Sequence, residues 1–269
     1  MPGIDRVRIG RTVGGDDVYV PLNESLLVCG LPNSGKTNTC MALLKNYSER
    51  GNASSQAIIL DFQRTVGTSA SPRFITAYQP ETQFTSLLAF CADEIDRRAN
   101  YLSSHPELDK VPISDEMPRW LVYIEEFNSL VSSMGAIVRS KDIRNEIMSR
   151  VAYIQRVGRK YGFIVCLSCQ SALQESIGST AFRSLCGTKV VHKLADGESI
   201  KAASGVSDPL ELPSAGLLKG EFYVSSYLQG GNFLKARSES PETMDFARSM
   251  LRDSCFKRVP RELVERGFS

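Results

Sequence analysis

Residues Gly30-Leu31-Pro32-Asn33-Ser34-Gly35-Lys36-Thr37 carry the most specific chemistry in the sequence. They read G-x-x-x-x-G-K-T, and each fixed position has a physical task. The glycines let backbone N–H groups turn inward around phosphate oxygens. The helix that leaves such a loop, with Asn38 in its first turn, adds the positive end of its dipole. Lys36 supplies a point charge for the β- and γ-phosphates. The Thr37 hydroxyl is the ligand that Mg²⁺ takes from a loop of this kind. The spacing predicts an ATP site, with residues 30–38 as the cradle and Mg²⁺ as the companion ion.

A phosphate loop needs a carboxylate at the end of a nearby strand to hold the metal. The apolar run WLVYI, residues 120–124, ends at Glu125-Glu126. Glu125 is read as the Mg²⁺ holder, usually through water, and Glu126 as the base that orients and deprotonates the attacking water. The plainer alternative is two solvated acids capping a strand. Asp61, at the end of QAIILDF, is the rival metal partner, although it lacks an acidic neighbour. Gln170 follows the apolar run FIVCLSC. A polar side chain there either faces the γ-phosphate, since ligands sit beyond the carboxyl ends of strands in open α/β sheets, or bonds to loop backbone.

These residues need elements to hold them. SLLVCG (25–30), QAIILDF (56–62), RFITAY (73–78), WLVYI (120–124), FIVCLSC (163–169), TKVVHKL (188–194) and GEFYVSSY (220–227) read as strands, several of them apolar on both faces. VRIGRT and DVYVPL flank Gly14-Gly15 and predict a hairpin within 5–22. Helices are expected over 37–50, 83–102 and 141–159, and at the end over 241–253 and 260–266. Residues 64–72 read as a loop. Residues 103–118, with three prolines and four acids, read as an exposed excursion. Strands apolar on both faces, separated by helices, predict an α/β domain with a mostly parallel sheet covered on both sides. With no repeat or linker in view, residues 1–269 form one domain: a β lead-in over 1–24, a core over 25–236 and terminal helices over 237–269.

Composition narrows the setting. The 269 residues are 42% hydrophobic and 23% charged, and the net charge of +2 names no polyanionic partner by itself. Most of the seven cysteines lie in apolar runs, which suggests buried, reduced thiols in a cytoplasmic protein. Cys166 and Cys169 form a C-x-x-C with no second pair. His105 and His192 have no metal-site spacing. The first residues lack an apolar core of signal-peptide length, and no apolar run approaches the roughly 20 residues that span a bilayer. A soluble chain is expected, with any membrane role supplied by a partner or a missing segment.

Several stretches together resemble the FtsK/SpoIIIE-type motors of the FtsK–HerA group. IGRTVGGDDVYVPLNESLLVCGLPNSGKTN is similar to that family's strand–glycine–strand lead into its phosphate loop. LLAFCADEIDRRANYL resembles the helix with an E-x-x-R-R-like signature, here Glu94, Arg97 and Arg98. WLVYIEEFNSL resembles the acidic strand followed by E-F-x-x-L, and VGRKYGFIVCLSCQSA the run of arginine, glycine, apolar strand and glutamine. The similar segments span about residues 8 to 236.

The resemblance implies a RecA-like ATPase working as a homo-oligomeric ring, commonly a hexamer, that pumps double-stranded DNA through a central channel. It assigns Gly35, Lys36 and Thr37 to the nucleotide loop, Glu126 to the catalytic acid and Gln170 to the sensor. A ring implies an arginine supplied by the next subunit; Arg159 is the first choice, then Arg156 and Arg183, against the plain reading of a helix-end charge. Arg64, Arg139, Lys141 and Arg144 are the expected DNA-facing cations, if they are more than solvated surface. The chain departs from the family pattern at Glu125, where Asp is usual. The resemblance includes neither a membrane region nor a winged-helix DNA reader. Relatives of the same fold transport protein in type VII secretion, so a protein-transport ATPase with a membrane-protein partner is the second expectation. A nucleotide-gated binding module of low turnover is the third.

Overall fold

The computed structural model describes residues 6–50, 55–66, 74–132, 140–239 and 263. Its centre is six parallel strands: β3 (Ser25–Cys29), β4 (Ser55–Leu60), β5 (Ile75–Ala77), β6 (Arg119–Ile124), β7 (Phe163–Cys169) and β8 (Cys186–Val191). They lie in the order β8-β3-β7-β6-β4-β5. Alternation along each strand divides the apolar side chains between two layers. Leu26, Val28, Ile59, Tyr123 and Cys166 pack with Cys40, Met41 and Leu44 of helix α1 (Lys36–Arg50). Leu27, Ile58, Val122 and Val165 point the other way. They meet Leu88, Cys91 and Ile95 of α2 (Thr85–Ser103) and Ile147, Val151 and Ile154 of α4 (Lys141–Val157). Both faces are covered, so the strands read as continuous hydrophobic runs.

Four antiparallel strands extend the sheet beyond β8, giving ten in all. They are β9 (Glu221–Ser225), β10 (Leu234–Arg237), β1 (Arg6–Arg11) and β2 (Asp17–Pro21), in that order outward. The hairpin expected at Gly14-Gly15 is present, with Gly15 at φ 93°. Strand β10 was not legible: its four residues include one buried side chain, Ala236. The helices expected within 237–269 fall outside the described residues beyond Glu239, Leu263 excepted.

The excursion 103–118 is a correction. It is not wholly exposed, because Val111 and Met117 are buried in a small cluster with Leu102 at the end of α2. Two apolar side chains in a polar run are enough to fold it back over the helix. Helix α2 is preceded by a π-helical turn over Pro80–Phe84. The expected helix over 141–159 ends at Val157 and passes into a 3₁₀ turn, Gly158–Tyr161. Three short helices follow: α5 (Gln174–Ile177), α6 (Thr180–Ser184) and α7 (Gly197–Ser204). Helix α3 (Phe127–Ser132) starts directly after the Glu125-Glu126 pair. Among the described residues, no helix is long and apolar enough to cross a membrane.

Candidate nucleotide site

Strand β3 ends at Cys29, and the loop after it is wired to both neighbouring strands. The Gly30 N–H donates to the Cys169 carbonyl at 3.2 Å, and Leu31 N–H donates to the Lys193 carbonyl at 2.9 Å. A Cβ on Gly30 would lie 2.5 Å from His192 Cβ, so only glycine fits here. Asn33 (φ 60°) and Gly35 (φ 104°) take the left-handed conformations that turn the loop inward. Gly220, just before β9, donates its N–H to the Ser34 carbonyl at 2.8 Å. Leu31 is half-buried, Pro32 and Asn33 are exposed, and Thr37 and Asn38 lie half-buried in the first turn of α1.

Lys36 is 5% exposed and donates from Nζ to the Leu31 carbonyl at 3.3 Å, holding its charge inside the loop. His192 lies beneath, with Nε2 3.1 Å from Thr39 Oγ1. Burial, helped by the nearby Lys36 charge, lowers its pKa to about 3, so it is neutral.

The acidic strand end meets this loop. Glu126 takes φ 49°, and its carbonyl accepts from Ser129 N–H at 2.8 Å, which turns the chain sharply out of β6. This brings Glu126 Oε1 to 3.9 Å from Lys36 Nζ. Glu126 Oε2 and Ser34 Oγ are both buried without a hydrogen-bond partner among the described residues. A buried polar atom left unpaired costs free energy unless a ligand or water completes it. Orphaned polar atoms beside a buried lysine and a left-handed loop fit a phosphate with its attacking water. Glu125 is 2% exposed and accepts from the Tyr123 hydroxyl. Burial raises its pKa, and the Glu126 and Asp61 charges add to this, while the Tyr123 and Ser168 hydroxyls draw it back.

Asp61 has a different occupation. Its carboxylate accepts from Val66 N–H at 2.7 Å and Thr65 Oγ1 at 3.3 Å, organising the turn after β4. Gln170 lies half-buried at the end of β7, between the phosphate loop and the Glu126 turn. Its N–H donates to Asn128 Oδ1 at 2.9 Å. Asn128 was missed in the sequence, where the one signal was its place in E-F-N-S-L.

No family model matches the chain. Protein Tra of Streptomyces lividans is 27% identical over 176 residues, which is 62% of this chain; the chain spans about a quarter of that protein, 27%. The pCW3 conjugation coupling protein TcpA, solved as a monomer with ATPγS, superposes with a TM-score of 0.75 at 18% identity, covering 94% of this chain and 71% of that one. The cytoplasmic domain of the Thermomonospora curvata type VII secretion ATPase EccC gives 0.69 at 15% identity, over 97% of this chain and 32% of that one. The chain has the fold of the FtsK–HerA group of P-loop ATPases. The resemblance read from the sequence is borne out at that level.

Within the FtsK–HerA fold the arginines fall in distinct places. Arg159 is exposed on the 3₁₀ turn before β7, at the end of the sheet opposite the phosphate loop. Seven strand residues separate that turn from Gln170, a rise of roughly 20 Å. Arg159 therefore lies far from the phosphate loop of its own chain. Arg156 is exposed in the last turn of α4, and Arg183 donates to the Ala172 carbonyl at 2.9 Å. Arg64 is exposed at φ 59°, with its guanidinium 4.7 Å from the Tyr78 ring centre. Lys141 is exposed at the start of α4 and Arg144 is half-buried one turn on. Arg139 lies outside the described residues.

Proposed function

We propose that this chain is an ATP-hydrolysing motor subunit that moves double-stranded DNA, acting in a ring of its own copies, with six the expected number. The observation that carries the reading is the meeting of Lys36 and Glu126, 3.9 Å apart, at the mouth of a left-handed G-x-x-x-x-G-K-T loop. Loop N–H groups and Lys36 bind the phosphates of ATP. Glu126 accepts a proton from water as the water oxygen bonds to the γ-phosphorus and the bond to ADP breaks. Gln170 faces the γ-phosphate from the neighbouring strand end. Thr37 and Glu125 would hold Mg²⁺, which when bound neutralises charge on the β- and γ-oxygens. The position of Arg159 supports a site completed by a neighbouring subunit.

DNA as cargo draws support from the likeness to Tra and to a conjugation coupling protein. Exposed Arg64 and Lys141 suit non-specific phosphate contact, which needs little more than cations. A second reading, protein transport with a membrane-protein partner, is favoured by the likeness to EccC. ATP hydrolysis with and without linear double-stranded DNA, with Lys36→Ala as the blank, separates them. DNA-stimulated turnover that is lost in Lys36→Ala is expected. Turnover indifferent to DNA favours protein transport, and turnover equal to the blank removes the ATPase reading.

A further inference from the structure

The peptide unit joining Cys169 to Gln170 is held from both sides. Its carbonyl accepts from Gly30 N–H at 3.2 Å, at the first residue of the phosphate loop. Its N–H donates to Asn128 Oδ1 at 2.9 Å, across 42 residues of sequence. The last paired residues of β6 and β7 are Ile124 and Leu167, so Gln170 lies past the end of that ladder. The Asn128 amide replaces the absent strand backbone. Asn128 is in turn fixed by the left-handed turn at Glu126 and the bond from Ser129 N–H to the Glu126 carbonyl. A peptide unit is planar, so its carbonyl and N–H move as one. A shift of either flanking segment therefore tilts the plane from which the Gln170 side chain departs.

We propose that Asn128 is a positioning residue. It ties the Glu126 turn to the Gln170 backbone, so that the phosphate loop and the water-activating turn jointly aim Gln170. The inference rests on the ATPase reading above. The residue type suits the place: an amide oxygen accepts the bond without adding a third negative charge beside Glu125 and Glu126. A purely structural tie would affect folding and leave the chemical step alone.

The test is a double-mutant cycle with Asn128→Leu, Gln170→Ala and the pair, each assayed for kcat and KM for ATP and for ATPγS and ADP affinity. Asn128→Leu has similar size and no acceptor; Asn128→Ala stands in should it fail to fold, and Asn128→Asp restores the acceptor. Expected is a fall in kcat of about tenfold or more with KM changed less than about threefold, and partial recovery in Asn128→Asp. Once Gln170 is alanine, removing Asn128 costs less than about twofold. Additive losses, or an unchanged kcat, overturn the proposal. If wild type is no faster than Lys36→Ala, the ATPase reading fails and binding decides the inference. The ATPγS-to-ADP affinity ratio should then fall in Asn128→Leu to the value in Gln170→Ala, and an unchanged ratio overturns it.

Discussion

His192 supports the phosphate loop as a neutral side chain. The imidazole faces Thr39 Oγ1, the backbone of Ser34 and Glu221, the Lys36 charge and the Phe222 ring 5.4 Å away. Its pKa of about 3 in the folded protein lies far below the value of 6.5 it has when exposed. Between these values the unfolded chain binds a proton that the folded chain refuses. The stability His192 contributes is complete above pH 6.5 and is lost as pH falls towards 3, with a slope of up to about 1.4 kcal/mol per pH unit. Urea unfolding at pH 7 and pH 5 should show this loss on top of that from other groups. His192→Gln, whose amide can still hydrogen-bond Thr39 Oγ1, should show a shallower pH dependence by up to that amount. Equal slopes in the two proteins would mean that His192 is protonated without cost. The phosphate loop was legible because its residues are adjacent in sequence. The neutral histidine beneath it was not, since Gly30 and His192 meet only when β3 and β8 pair.

Arg98 belongs to the scale of elements, because it joins three of them. It is fully buried in α2, donates from Nε to Glu94 at 2.6 Å and from a terminal nitrogen to the Tyr161 carbonyl at 2.7 Å, and lies over the Phe163 ring. It thereby anchors the Gly158–Tyr161 turn, which carries Arg159, to the helix that covers β7. Arg97 also bonds Glu94, yet its side chain is 55% exposed. Arg98→Ala is expected to destabilise by about 3–5 kcal/mol, since it breaks a buried pair and removes packing. Arg97→Ala should cost less than about 1 kcal/mol. Chemical denaturation of both variants checks the contrast, and similar losses would contradict it. Elements of this size divide clearly into the legible and the hidden. Strands β3, β4, β6 and β7 were readable because burial on both faces forces runs such as FIVCLSC. Strand β10 and helices α5 to α7 are only four to eight residues long, too short for an apolar period to show, although Ser179 caps α6 and Asp196 and Gly205 cap α7 locally. The Asn128–Gln170 bond joins the ends of two strands and has no periodicity to betray it.

At the scale of the whole molecule, the site and its first-choice arginine lie at opposite ends of the sheet. The phosphate loop follows the carboxyl end of β3, and Arg159 precedes the amino end of the parallel neighbour β7. A single chain holds the two apart, whereas the proposed ring of identical copies would let each offer its Arg159 to the next site. Mixing tests this without knowledge of the cargo. Arg159→Ala and Lys36→Ala should each be nearly inactive alone, since a trans arginine contributes about 10³–10⁵ in rate in related phosphoryl transfer. Co-assembled, an intact Lys36 site of an Arg159→Ala subunit can receive Arg159 from a Lys36→Ala neighbour. That interface has every part, so the mixed assembly should hydrolyse ATP where neither parent does. Mass measurement of tagged mixed rings shows whether the two variants have combined. Recovery in such rings would locate the active site between subunits and make assembly a condition of turnover. Combined rings without recovery would exclude Arg159, and with Arg183 already bonded within its own chain at Ala172, Arg156 would become the arginine to substitute next.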